Sequence, residues 1–211
     1  MQNTLFEEVK KSRAPSVQYA LFNKDTIIKR FSFGFSDIKN KKVADETTSY
    51  KLYSITKTFT ALAIVKLAEQ NMLELDQPAR LYLPEIPYKS NITVRQLLTH
   101  SSGISNPMPL SWIHTESEHQ SFNRDQFFKK IFAIKNKTKS QPNEKYAYSN
   151  LGYILLGQII EKVTGTPYER YISENIIRRI DLNVSDLGFE LIDFSSQAKG
   201  YHKSFSFPTC F

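Results

Sequence analysis

Two segments of helical periodicity constrain this chain more than anything else in it. In the first, Ile55, Phe59, Leu62, Ala63 and Leu67 recur at helical spacing and predict a helix over Ser54–Gln70, ended by Asn71. In the second, Leu151, Ile154, Leu155, Gln158, Ile159 and Lys162 predict a helix over Asn150–Val163, stopped by Gly165 and Pro167, with a further helix through Tyr168–Ile177. A length of 211 residues is enough for one hydrophobic core, with or without a smaller appended region. With 40% apolar and 23% charged residues, the composition is that of a soluble globular chain rather than a disordered or fibrous one.

The remaining punctuation predicts an α+β fold. A helix near Leu5–Arg13 breaks at Pro15, and two strand-like runs follow, Ser16–Phe22 and Thr26–Phe33, parted by Asn23, Lys24 and Asp25 as in a hairpin. Gly34 and the polar stretch Asp37–Glu46 read as a connection, and Leu75–Pro84 carries prolines at its turns. Thr93 is placed to cap a short helix through Leu98, and Gly103 to turn the chain. Residues 105–147 read as a variable helical or lid region, with Pro107, Pro109, Trp112, a helix over Arg124–Ile134 and a basic loop over Lys135–Lys145.

Several classes of function find little support. The net charge of +7 is moderate and the lysines are dispersed over several segments, which gives only weak support for a nucleic-acid or anionic-surface partner, and none is expected. Cys210 is the single cysteine, so no internal disulfide can form. Met1–Lys11 lacks an apolar stretch of signal-peptide length and no window reaches a membrane span, although an export signal removed from the native protein would leave its location open. His114, His119 and His202 make no metal-binding pattern and the glycines no phosphate-cradling loop, so no metal or cofactor is expected.

Ser54 and Lys57 form an S-x-x-K pair at the start of the first long helix, about one turn apart on the same face. A serine hydroxyl needs a neighbouring base to attack a carbonyl, and a lysine can serve when its surroundings favour the neutral amine. The free N–H groups of the helix start, that of Ser54 included, could hold the developing oxyanion. The plain alternative is a capping serine and a lysine reaching for water. Tyr148 and Asn150 sit at the start of the second long helix, where a phenol can relay a proton and an amide can orient both Lys57 and a substrate; here the plain alternative is an Asn150 helix cap with Tyr148 packed beside it. His100 reads as a hydrogen-bonded histidine beside a turn, and Tyr146 as a packing or rim residue.

Three segments in order carry a resemblance. Leu52–Pro84 resembles the first motif and following helix of the serine beta-lactamase-like family of class C beta-lactamases, D-alanyl-D-alanine carboxypeptidases and related esterases. ITVRQLLTHSSGI, Ile92–Ile104, resembles its next signature, and YAYSNLGYILLGQIIEKVTGTPY, Tyr146–Tyr168, its Tyr-x-Asn segment, while Ser16–Asp37 is similar to its opening hairpin. The resemblance implies a beta-lactamase/transpeptidase-like domain over 1–211, an antiparallel sheet flanked by helices. It also implies Ser54 as acylated nucleophile, Lys57 as base, Tyr148 as proton-transfer partner and Asn150 as substrate-orienting group, acting on a beta-lactam, a D-Ala-D-Ala peptide or a small ester. It implies no chemical step for His100. The family's third motif, of Lys-Thr-Gly or His-x-Gly type, is absent although Ala198–Tyr201 resembles the approach to it. The expectation is therefore a domain lacking its C-terminal strands, weak in turnover alone, whose sheet a second copy or another chain could complete. The rival is a catalytically inactive binding or regulatory protein that keeps the scaffold.

Overall fold

Asn23 makes the first turn, its side-chain Oδ1 accepting from the backbone N–H groups of Asp25 and Thr26, each at 2.9 Å. The two strands it joins, β1 (Ser16–Phe22) and β2 (Ile27–Asp37), pair antiparallel from Ser16↔Gly34 to Phe22↔Ile27. This is a computed structural model, and it describes residues 2–11, 14–88, 91–107, 121–182, 185–189 and 193–201. Trp112, His114, His119, His202 and Cys210 lie outside the described residues.

β2 runs four residues past its expected end because Gly34 takes a left-handed φ of +93°, and a Cβ there would meet the Pro15 carbonyl oxygen at 2.4 Å. Beyond it the stretch expected as pure connection contains β3 (Lys42–Val43), which pairs with β2 through Phe35↔Val43 and gives the order β1-β2-β3. α1 (Gln2–Lys10) starts and ends earlier than the periodicity predicts, and Phe6 packs on the sheet, 5.2 Å from the Phe31 ring and 4.5 Å from Phe33. The segment 193–201 joins this unit through backbone bonds from Ser49 to Ser196 (2.9 Å), from Ala198 to Ser49 (2.9 Å) and from Lys199 to Ser36 (2.8 Å).

A second compact unit, residues 54–190, holds the main core. α2 (Thr56–Glu69) buries Thr60, Ala63, Ile64 and Leu67 along one face. It ends where Asn71 takes a φ of +57° and the Met72 N–H returns to the Leu67 carbonyl at 3.0 Å. α3 (Val94–Leu98) starts with a capping box: the Gln96 N–H donates to the Thr93 side chain and the Thr93 N–H to the Gln96 side chain. α4 (Arg124–Ile134) has the predicted limits and is capped by Asn123. α5 (Asn150–Thr164) buries Leu151, Leu155, Leu156, Ile159 and Ile160 and stops at Gly165, φ +66°. α6 (Tyr168–Asn175) is shorter than predicted and gives way to a 3-10 turn at Ile177–Ile180. α2, α3 and α6 all pack on α5, and Thr60 Oγ1 lies 2.7 Å from Tyr168 Oη. Among the described residues no helix is long and apolar enough to cross a membrane.

The 193–201 segment of the first unit is pinned by Asp37, which is buried and pairs with the Lys199 ammonium while Tyr201 Oη lies 3.3 Å from its Oδ1. The hydrogen bond from Lys199 holds the Asp37 carboxyl well below the usual carboxylate range; burial pushes it up, and bonds from Asn40 with the Lys199 charge add to the downward pull. A depressed carboxylate contributes stability that is complete above its unfolded value, about 3.9, and is lost as pH falls through the folded value. The thermal midpoint of the wild type should therefore drop more steeply below about pH 5 than that of Asp37→Asn, which is less stable at neutral pH. Parallel profiles for the two proteins in calorimetry would remove Asp37 from the account of acid stability.

Candidate active site

Ser54 reaches its position through a strained turn. Tyr53 has a φ of +45°, in the left-handed region that β-carbons disfavour, and the chain then makes one 3-10 turn, Tyr53–Ile55, before α2 begins. Ser54 thus precedes the α-helix instead of opening it. Ile55 occupies the cap position of α2 without a side-chain acceptor, so among the described residues no side-chain cap hydrogen bond is made there. The capping alternative for Ser54 is not what the structure shows.

Lys57 extends the buried face of α2 toward its start, three residues before Thr60 and seven before Ile64. Its half-buried side chain folds back over the helix start, with Nζ 3.3 Å from Ser54 Oγ. Nζ also lies 5.0 Å from the ring centre of Tyr148 and 5.7 Å from that of Tyr153, within the distance at which ring faces attract a cation.

Tyr148 comes from the approach to α5. Its Oη lies 2.8 Å from Ser54 Oγ and 3.2 Å from Asn150 Oδ1. Ser149, not Asn150, caps the helix: its Oγ accepts from the Gly152 N–H at 3.1 Å and donates to the Ser105 carbonyl at 3.3 Å. Asn150 is left as the first helical residue, with its N–H donating to Asn106 Oδ1 at 3.1 Å and its side chain turned to Tyr148. The structure therefore brings Ser54, Lys57, Tyr148 and Asn150 into one connected cluster, all within the second unit.

Burial pushes the Tyr148 phenol up, but the hydrogen bonds with Lys57 and Ser54 and the Lys57 charge together outweigh it and bring the phenol below its ordinary value. A phenol has one hydrogen. If it is donated to Asn150 Oδ1, a lone pair of Tyr148 Oη is free to accept a hydrogen bond from the Ser54 hydroxyl at 2.8 Å.

Two residues of this neighbourhood carry more than the sequence suggested. His100 does sit beside a turn, with a φ of +56°, and its Nδ1 accepts from the Ser149 N–H at 3.1 Å. Its ring packs on Tyr148 at 4.5 Å and on Tyr153 at 4.9 Å. Tyr153 was not a candidate; its Oη donates to the Leu98 carbonyl at 3.0 Å, and the signal for it was its place one turn into the helix from Asn150. Tyr146 is exposed and meets the His100 ring edge-on at 5.7 Å, a rim position as expected. Gly103, φ +73°, lets the same loop pass the Ser140 carbonyl, which a Cβ would approach to 2.2 Å.

With this geometry in place, comparison with known proteins gives the class. The model of the beta-lactamase family matches residues 1–208, and the chain belongs to that family. It is 32% identical over 160 residues to penicillin-binding protein 4* of Bacillus subtilis (strain 168), a match covering 74% of this chain and 34% of that protein. The octameric penicillin-binding protein homologue from Pyrococcus abyssi superposes with a TM-score of 0.70 at 29% identity, over 86% of this chain and 42% of that one. The D-amino acid amidase of Ochrobactrum anthropi SV3, solved with L-phenylalanine, gives a TM-score of 0.78 at 24% identity, over 97% of this chain and 55% of that one. The fold is beta-lactamase/transpeptidase-like and α+β, as the sequence implied. The chain spans about a third of the length of the Bacillus relative.

Because Ser149 is buried and serves both as cap and as a tie to the 105 loop, Ser149→Ala should destabilise the second unit by about 1–2 kcal/mol. Urea unfolding at neutral pH measures this, and a change within experimental error would show that the cap does not hold the helix start.

Proposed function

We propose that this chain carries the acylation machinery of a serine hydrolase that acts on an amide or ester carbonyl. Ser54 is the nucleophile, Lys57 and Tyr148 handle its proton, and Asn150 orients the substrate. The observation that carries the reading is that one serine oxygen lies within reach of both an ammonium and a phenol, at 3.3 and 2.8 Å, beside a helix start without a side-chain cap. Membership of the beta-lactamase family supports it, as do relatives named as penicillin-binding proteins and a solved neighbour named as an amidase.

In the proposed step the Lys57–Tyr148 pair enters one proton short, as an ammonium beside a phenolate or an amine beside a phenol, and takes the Ser54 hydroxyl proton while Oγ bonds to the carbonyl carbon and the carbonyl π electrons move onto oxygen. The oxyanion is held by backbone N–H groups at the start of α2, that of Ser54 among them. Collapse breaks the C–N or C–O bond, the leaving atom takes the proton back from the pair, and water then releases the acyl group by the same route in reverse. The substrate class is a beta-lactam, a D-Ala-D-Ala peptide or a small ester, since one acylation centre serves all three and the surrounding loops select.

Sequence reasoning makes Lys57 the base, assisted by Tyr148. Two observations favour a different division of labour: the phenol contact is the shorter one, and the charge of Lys57 draws the Tyr148 phenol toward ionisation. Tyr148 then accepts the proton first and Lys57 supplies the positive charge that makes it acceptable.

Incubation with a fluorophosphonate or a reactive beta-lactam should add one adduct mass at Ser54, located by peptide mapping. Labelling undiminished in Ser54→Ala would end the proposal, and stoichiometric acylation without turnover of a chromogenic ester or cephalosporin would move the protein to the acyl-binding, regulatory class.

The division of labour has its own test in rates of acylation. Tyr148→Phe should slow Ser54 acylation by about 10²–10⁴-fold, while Lys57→Arg, which keeps the charge, stays well above Lys57→Met. If Lys57→Arg is as inactive as Lys57→Met and Tyr148→Phe is mild, Lys57 is the first proton acceptor.

A further inference from the structure

The four consecutive residues 146–149 are all held by one side chain and its own backbone. The ring of Tyr146 meets His100 edge-on at 5.7 Å, the Ala147 N–H donates to the His100 carbonyl at 2.7 Å, the ring of Tyr148 lies against the imidazole at 4.5 Å and 35°, and the Ser149 N–H donates to Nδ1 at 3.1 Å. His100 is itself fixed by its left-handed backbone and by the bond from its N–H to the Leu97 carbonyl at 3.3 Å. Its ring also meets that of Tyr153, at 4.9 Å and 35°, which Leu98 anchors through the phenol.

The geometry points to His100 as a positioning residue for acylation: by clamping residues 146–149 it sets the distance from Tyr148 Oη to Ser54 Oγ and the direction of Asn150 at the head of α5. This rests on the proposed acylation function, but the clamp itself is a matter of contacts. Ser149 is buried, and its N–H precedes the helix ladder and has no place in it. Without the imidazole acceptor that donor would be buried unpaired, and the turn would shift to satisfy it. A shift of the order of 1 Å at Tyr148 is enough to break a 2.8 Å contact.

The clamp works in one protonation state. Nδ1 accepts from Ser149 only in a neutral imidazole whose hydrogen is on Nε2, and an imidazolium would aim an N–H at an N–H. Burial, and then the charge of Lys57, keeps His100 below its ordinary value and so neutral at physiological pH. The titratable groups that face it are Lys57 from α2, Tyr146 and Tyr148 from the approach to α5, and Tyr153 from α5. Protonation of the imidazole on acidification should therefore open the clamp and slow acylation.

Two variants separate the parts of the argument. His100→Asn keeps an acceptor at the position of Nδ1, tolerates the left-handed backbone and does not titrate. His100→Phe keeps a ring and has no acceptor. Phosphonylation of Ser54 by a fluorophosphonate, followed by intact mass from pH 5 to 8 (about the range over which histidine titrates), should be slowed about 10–100-fold in His100→Phe. His100→Asn should recover most of that rate and fall less steeply than the wild type on the acid side, where protonation of the Lys57–Tyr148 pair is common to both. Equal rates in the two variants, or an acid limb as steep in His100→Asn as in the wild type, would overturn the inference. Hydrogen exchange at the Ser149 amide reads the clamp without any chemistry: protection in wild type and His100→Asn and its loss in His100→Phe is expected, and protection unchanged in His100→Phe would refute it. A wild type that never labels at Ser54 defeats the functional proposal, and the exchange result then decides the clamp alone. Should His100→Phe fail to fold, the pH profile of His100→Asn remains decisive.

Discussion

Everything proposed for this chain depends on one contact between residues 94 apart, the 2.8 Å approach of Tyr148 Oη to Ser54 Oγ. Neither residue can make it locally. It exists because α2 and α5 are each apolar along a face, bury those faces against each other, and begin at the same end of the pair. The core holds the two helix starts in register, and the polar groups collect where helices leave their backbone N–H groups unpaired. The packing of Leu151, Leu155 and Ile159 with Ala63, Ile64 and Leu67 is thus as much a part of the site as the side chains that touch the serine.

Charge is arranged around that contact with little redundancy. Lys57 lies against two aromatic rings and one hydroxyl, and its charge pulls the Tyr148 phenol down and the His100 imidazole down together. The same cation therefore favours a phenol ready to give up its proton and a histidine that stays neutral. In the proposed mechanism both effects favour a turn that holds its shape while Tyr148 exchanges a proton with Ser54.

Much of this was legible in the sequence wherever the deciding physics is local. Thr93 with Gln96, Asn123 and Gly165 mark helix ends by their own side chains or freedom of backbone, and α3, α4 and α5 begin or end where those residues stand. The S-x-x-K spacing and the Tyr-Ser-Asn turn set Ser54, Lys57, Tyr148 and Asn150 near two helix starts, and the structure brings the four together. What stayed hidden depends on residues far apart or on runs too short to show a period. Two residues, Lys42 and Val43, cannot display the alternation of a strand, so β3 was read as connection. Ser149 and Asn150 are adjacent and both able to cap; only the fold decides that Ser149 caps and Asn150 faces Tyr148. The grip of His100 on residues 146–149 requires a left-handed backbone at a non-glycine position, which a turn-like sequence permits and does not announce.

The central claim is that Lys57 and Tyr148 serve Ser54 as one proton-transfer unit, and a double-variant cycle tests it most directly. The rate constant for phosphonylation of Ser54 by one fluorophosphonate, in which Oγ displaces fluoride from phosphorus, would be measured in wild type, Lys57→Met, Tyr148→Phe and the combined variant, each confirmed as folded. Groups that act as a unit are grossly non-additive, so the combined variant should be within about threefold of the slower single variant. Losses that simply multiply would show that Lys57 and Tyr148 act independently, and the account of this site as a single relay would be wrong.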